Sequence, residues 1–177
     1  MTESDPELVA RVLTGRDPEG FGELVRAHQS SVRRFLRTLC RDDSWADDLA
    51  QETFLLGYRR LSSFRGQSQF RTWLLGIAYN QFRNARRSRR ELPAEVSERE
   101  TSELGFERLT DLREDLRSAL GRLSEEERSV ICLWYQHGLS HGDIANATRL
   151  PLGTVKTHLA RGKHRLRELL AAWNPKT

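Results

Sequence analysis

The chain has 177 residues, 31% of them charged and only 37% hydrophobic, a lean core supply that suits two small helical units of roughly 70–90 residues each better than one large globule. Twenty-nine Lys and Arg against 25 Asp and Glu leave a formal net charge of +4, too small to identify a partner, so the placement of charge matters more than its sum. No stretch approaches the ~20 apolar residues of a membrane span, and the start MTESDPELV lacks the basic-then-apolar order of a secretory leader. Cys40 and Cys132 stand alone without metal-ligand spacing and read as reduced core residues of a cytosolic protein.

Taken in chain order, almost every segment scans as helix and none alternates as a strand does. Asp5-Pro6 and Asp17-Pro18 each offer a helix cap followed by proline at the first helical position. Val25, Val32, Phe35, Leu36 and Leu39 then recur at helical spacing, and Ser44 is placed to cap a helix from Trp45 to about Leu61. The run SSFRGQSQ, residues 62–69, breaks the pattern and belongs to a loop. Thr72 is the expected cap of a helix whose apolar stripe is Leu74, Ile77, Ala78, Phe82 and Ala85. Pro93 ends that regularity, and residues 91–109 mix Pro, Ser, Thr and Glu as a flexible linker does. Helix resumes near Asp111, and Ser124 with Glu127 forms a capping box before VICLWY, which His137-Gly138 closes. The expected fold is all-α, two small helical domains (1–90 and 110–177) joined by that linker.

The segment from Leu139 to Leu169 carries the sharpest signal, a short helix, a tight turn before Pro151 and a longer basic helix. Ile144 and Ala145 are the expected buried points of the first helix, and Val155, Leu159, Gly162, Leu166 and Leu169 those of the second. This is the pattern of a helix-turn-helix, whose second helix enters a DNA major groove. Lys156, Thr157, Ala160 and Arg161 lie on the face turned from the core, with Lys163 adding charge, and Thr154 after Gly153 suits a backbone phosphate. The plainer alternative is a basic amphipathic helix packing on its own domain.

Asp48, Gln51 and Glu52 share one helix face at i, i+3 and i+4. Paired carboxylates serve metal binding or acid–base chemistry, but nothing nearby completes such a site, and a docking surface for a basic partner accounts for them better. Downstream, Phe64, Phe70 and Trp73 interleave with Arg65, Gln67, Ser68, Gln69 and Arg71, the residue types that hold an unstacked base. Trp73 reads better as core; the polar loop residues fit a base pocket or a solvated loop equally. Tyr79, Arg83, Arg86 and Arg90 then line one face of the following helix.

With these residues in view, the stretch DDLAQETFLLGYRRLSSFRGQSQFRTWLLGIAYNQFRNARRSRR resembles region two of the bacterial extracytoplasmic-function sigma factors, and LSEEERSVICLWYQHGLSHGDIANATRLPLGTVKTHLARGKHRLREL resembles their region four. The resemblance implies a dissociable, cytoplasmic subunit of RNA polymerase with no catalytic activity, cofactor, metal or membrane insertion. It implies that Asp48, Gln51 and Glu52 dock on the clamp helices of the largest polymerase subunit, with the flap as a further polymerase contact. It implies that Phe64, Gln67, Ser68, Arg71, Asn80, Arg83 and Asn84 open and capture the minus-ten element, with Arg86 and Arg87 on the backbone. The minus-thirty-five element then falls to Thr154, Lys156, Thr157, Ala160, Arg161 and Lys163, and an anti-sigma factor is the expected regulator. The chain departs from the family where an Asp is often found and Asn84 stands here, and where Ala160 replaces a larger side chain. Two rival readings remain: a stand-alone helix-turn-helix regulator, which leaves the acidic face and aromatic loop unexplained, and a metal-dependent nuclease using Asp47, Asp48, Glu52 and a distant His.

Overall fold

Side-chain caps decide where several helices begin, a residue or two from where spacing places them. In the computed structural model, which describes residues 3–15, 19–91 and 107–171 and leaves aside the side chains of 90, 91 and 107–112, α1 runs Asp5–Leu13. Its cap is Ser4 rather than Asp5, because Glu7 reaches back to accept the Ser4 N–H at 2.8 Å. After α2 (Gly20–Cys40), the chain turns through Arg41 in the left-handed region, φ 60°. The next cap is Asp42, not Ser44: its carboxylate accepts the Trp45 N–H at 2.9 Å and starts α3, Asp43–Arg59. Thr72 caps nothing either, since α4 spans Phe70–Glu91 and Thr72 is buried in its first turn. The Asp17-Pro18 pair and the linker residues 92–106 lie outside the described residues.

The second half holds α5 (Glu107–Gly121), which begins before Asp111, α6 (Glu125–Ile131), α7 (His141–Thr148) and α8 (Leu152–Leu169). The Ser124–Glu127 box is present, with both reciprocal bonds at 3.1–3.2 Å. A π-helical turn, Cys132–Gln136, follows α6, and the chain leaves it through Gly138, whose φ of 65° a side chain would strain. Ser140 and Asp143 repeat the box at α7, and Arg149 at φ 58° turns the chain into α8. Among the described residues there is no strand.

Each half buries its own stripe. Leu24, Val32, Phe35, Leu36 and Leu39 of α2 meet Leu49 of α3 and Leu74, Ala78 and Phe82 of α4, all buried. In the second half Val130 and Leu133 meet Ile144, Val155 and Leu159. Gly162 sits where a Cβ would come within 2.9 Å of the Ile131 side chain, so α8 lies directly on α6. Glu127, buried, adds an ion pair to Arg165 of α8 at 2.9 Å. Both cysteines are free, and burial pushes each thiol up to about 12, so neither is a thiolate near neutrality.

The halves also pack on each other. Residues 74–79 of α4 (LLGIAY) are buried without interruption, as a helix covered on two sides must be. One side is the first bundle; the other is α7, which approaches so closely that a Cβ on Gly76 would stand 3.1 Å from the Ala147 carbonyl oxygen. Around that contact, Arg86 pairs with Glu125 at 2.6 Å, and Arg71 donates to the His137 carbonyl at 3.1 Å. Substituting Gly76→Val places branched carbon against the α7 backbone. We expect the two halves to separate, seen as a larger radius of gyration by small-angle scattering, with unfolding free energy lower by ~1–3 kcal/mol. An unchanged scattering profile would show that this contact does not hold the halves together.

Candidate nucleic-acid interface

The recognition face foreseen on α8 is open. Val155, Leu159 and Gly162 are buried beneath it, while Lys156, Thr157, Ala160, Arg161 and Lys163 are exposed and Thr154 is half-buried. The Thr157 hydroxyl donates to the Gly153 carbonyl at 2.9 Å, which still leaves its oxygen lone pairs and methyl facing outward. Basic donors and small groups on one open stripe near a helix start can enter a major groove and read base edges. In α7, Ile144 is fully buried as expected, but Ala147 and Thr148 complete the inner face, with Ala145 only half-buried.

The loop before α4 divides into core and surface. Phe70 is buried and Trp73 half-buried; with Phe64 they form a triangle of ring centroids 5.3–5.5 Å apart. Phe64 is therefore partly spent on packing, with only its remaining face available to a base. Gln67 is exposed beside Gly66, whose φ of 68° shapes the turn, and Ser68 is half-buried. Along α4, Arg83, Asn84 and Arg87 are exposed. Tyr79 is buried rather than lining an open face; Arg83 lies over its ring at 5.7 Å, and burial raises its phenol above the ordinary value. Asn80 donates to the Gly76 carbonyl of its own helix at 2.7 Å.

Two of the residues assigned to DNA are occupied in this arrangement. Arg71 and Arg86 both bond to the second half of the chain. The structure thus gathers Phe64, Gln67, Ser68, Arg83, Asn84 and Arg87 on one half and the α8 stripe on the other, with Arg71 and Arg86 held at the junction.

Asp48, Gln51 and Glu52 are exposed on α3, and Glu52 accepts from Gln81 at 3.3 Å. Beside them lie two residues that the spacing of charge did not single out. Leu55 and Tyr58 are 60% and 54% exposed and continue the face of Gln51. They border a groove of about 420 Å³ lined by Phe21, Val25, Ala50 and Phe54. Large apolar side chains so exposed on a helix next to carboxylates suit a partner surface that is part basic and part apolar. The signal was available: Gln51, Leu55 and Tyr58 fall at i, i+4 and i+7. Among the described residues no group of three or more His, Cys, Asp or Glu side chains is arranged to hold a metal ion, and no helix is long and apolar enough to cross a membrane.

Comparison with known proteins matches residues 24–91 to the Sigma-70 region 2 model and residues 113–166 to the Sigma-70 region 4 model. The RNA polymerase sigma-H factor of Pseudomonas aeruginosa is 32% identical, over 95% of this chain and 94% of its own length. The ECF RNA polymerase sigma-E factor of Haemophilus influenzae is 36% identical, over 90% of this chain and 92% of its own. Among solved structures, the sigma factor RpoE of Bartonella quintana, crystallised with the anti-sigma factor NepR, superposes with a TM-score of 0.70 at 28% identity. That overlap covers 86% of this chain and 98% of the other, more than either half alone could supply.

The junction contains a titratable group of its own. His137 is buried; its Nδ1 lies 3.2 Å from the Ser31 hydroxyl and its ring stands edge-on to Phe35. Burial, and then the positive charges of Arg71 and Arg34, lower its pKa from 6.5 to about 4. Between those values the unfolded chain takes up a proton that the folded chain refuses, so stability falls as pH falls from about 6.5 toward 4. The loss amounts to roughly 3 kcal/mol at most. Denaturant unfolding across that range should show this slope in the wild type and a flatter one in His137→Gln; equal slopes would place the ring in solvent.

Proposed function

The chain belongs to the extracytoplasmic-function group of sigma-70 RNA polymerase sigma factors, and on that footing we propose how its surfaces share the work of promoter recognition. It binds core RNA polymerase, directs it to particular promoters and assists melting there. Its partners are the core enzyme, promoter DNA and an anti-sigma factor; the chain works in the cytoplasm and itself catalyses no reaction.

One observation carries the reading: three surfaces of different chemistry stay open around a shared core. The carboxylate and amide face of α3, with Leu55 and Tyr58 added, suits docking on a partner surface that is part basic and part apolar, which we assign to the polymerase clamp helices. The loop residues Phe64, Gln67 and Ser68, with Arg83, Asn84 and Arg87 on α4, suit an unpaired strand. There, stacking and edge hydrogen bonds retain an extruded base and offset part of the few kcal/mol that unpairing costs. The α8 stripe suits the major groove of the upstream element. A stand-alone regulator has no use for the first two surfaces.

Promoter binding on this account requires the two halves to part, since Arg71 and Arg86 reach DNA only after releasing His137 and Glu125. The packed arrangement is the resting form, and polymerase and DNA supply the differential affinity that opens it. The interactions lost include the Arg71–carbonyl bond, the partly exposed Arg86–Glu125 pair, the contacts of His137 with Ser31 and Phe35, and the packing of α7 on α4 and of α6 on α2.

Run-off transcription with purified core polymerase tests the reading directly. The wild-type chain should confer start-site selection, and Asp48→Arg should abolish capture of core enzyme while the isolated chain keeps its helical spectrum. Arg161→Ala should weaken recognition of the upstream element by ~1–3 kcal/mol, read by gel shift with the assembled holoenzyme. Unchanged promoter choice in that variant would move the reading face off Arg161.

A further inference from the structure

A polar cleft also lies at the junction and shares only Arg71 with these three surfaces. Between α2, the start of α4 and the turn after α6 is a cleft of about 490 Å³ that both halves line. Its walls carry Arg34 and Arg71, the buried His137, and the hydroxyls of Ser30 and Ser31. One carboxylate lines it, Asp5, and that group is already paired with His28 at 2.9 Å.

The donors in this cleft outnumber their acceptors. Buried polar atoms almost always have partners, yet among the described residues three buried side-chain nitrogens have none, and two of them belong here: Arg71 Nε and His137 Nε2. Arg34 has no ion-pair partner among the described residues, although a neighbouring helix position, Arg37, pairs with both Asp43 and Asp47. Two guanidinium groups and an imidazole therefore face one polar space without a carboxylate to answer them. Arg71 Nε and His137 Nε2 are buried, so water does not replace the missing partner there, whereas Arg34 lines the cleft as an exposed guanidinium. A group with several oxygen acceptors and a negative charge would satisfy them together.

We propose that this cleft is a binding site for a small free phosphoryl anion, held by Arg34, Arg71, His137 Nε2 and the Ser31 side of the cleft. The Ser31 hydroxyl then donates to His137 Nδ1, which places the ring proton on Nε2, where it points at an acceptor instead of wanting one. Arginine suits the role because its planar fork matches adjacent phosphate oxygens. Because the first half supplies the arginines and the second supplies His137, the site exists only while the halves are packed. Occupancy therefore favours the closed form by mass action and opposes the release of Arg71. That consequence rests on the promoter-recognition reading; the binding itself does not.

The test uses the full chain alone, so it stands or falls without polymerase or promoter. Inorganic phosphate is titrated against chloride at constant ionic strength, following the His137 ring nitrogens by NMR and the melting temperature. Phosphate stabilises many proteins nonspecifically, so the comparison among variants decides. The wild type should show saturable shifts at His137 and a saturable rise in melting temperature. Arg34→Gln should weaken the fitted affinity about tenfold or more, as expected for loss of a charge-assisted bond. Arg26→Gln, which removes an exposed charge on the same helix outside the cleft, should leave it unchanged. If Arg34→Gln does not fold, Arg71→Gln is read in the same way. Equal responses in wild type and the cleft variants, or no saturable response at His137, overturn the proposal. So does a result in which nonspecific duplex DNA shifts the His137 resonances and free phosphate does not.

Discussion

The packing of α4 against α7 is the contact on which the arrangement of this molecule depends. Gly76 has no side chain, so the Ala147 backbone comes within a distance that any Cβ would crowd. With the helices that close, Leu74 through Tyr79 lose solvent on both sides, and two modest bundles share one continuous core. Small cores are marginal alone because too little surface is withdrawn from water. A shared helix lets each bundle bury area that it could not cover by itself.

That economy has a functional counterpart. On the proposed reading the residues at the junction are drawn from the set suited to DNA, so the contacts that stabilise the closed chain would occupy part of its promoter-binding capacity. Arg71 and Arg86 show it most directly, one on a carbonyl and the other on a carboxylate. Bonds of this kind contribute little net free energy where solvent can replace the partner. The apolar α4–α7 seam, closed to solvent at Gly76, is joined at its edges by these polar bonds. A chain organised in this way can be closed when alone and still be opened by partners that bind the separated halves better.

The exposed surfaces differ in how they are prepared. The α8 stripe is held from below by Val155, Leu159 and the close approach at Gly162, which on the proposed reading sets its donors before DNA arrives. The aromatic loop is prepared by a triangle of rings that anchors Phe64 at one edge and leaves Gln67 outside on a glycine turn. The α3 face is different again, with carboxylates next to unusually exposed Leu55 and Tyr58. Charge steers an encounter and buried apolar area retains it, so on the proposed reading the two kinds of residue on one helix serve complementary parts of one docking event.

Helical periodicity alone determined the all-α class, the inner stripe of α8 from Val155 to Gly162 (Leu166 and Leu169 beyond it are only half-buried) and the open face opposite it, because burial within a single amphipathic helix follows from 3.6-residue spacing. The Ser124–Glu127 box and the closing Gly138 were legible for the same reason: each is a local bond or a local φ. Caps at Ser4 and Asp42 were less so, since several polar residues stood in a row and only backbone geometry chose among them. What spacing could not decide was everything that two separate stretches make together. LLGIAY carries apolar residues around the whole helix and a glycine in its middle, which signals close packing but not the packing partner. His137 reads as a helix end, and only the fold brings Ser31, Phe35 and Arg71 around it. Long-range contacts depend on where distant segments meet in space, and that is settled by the summed packing of the whole chain rather than by any window of it.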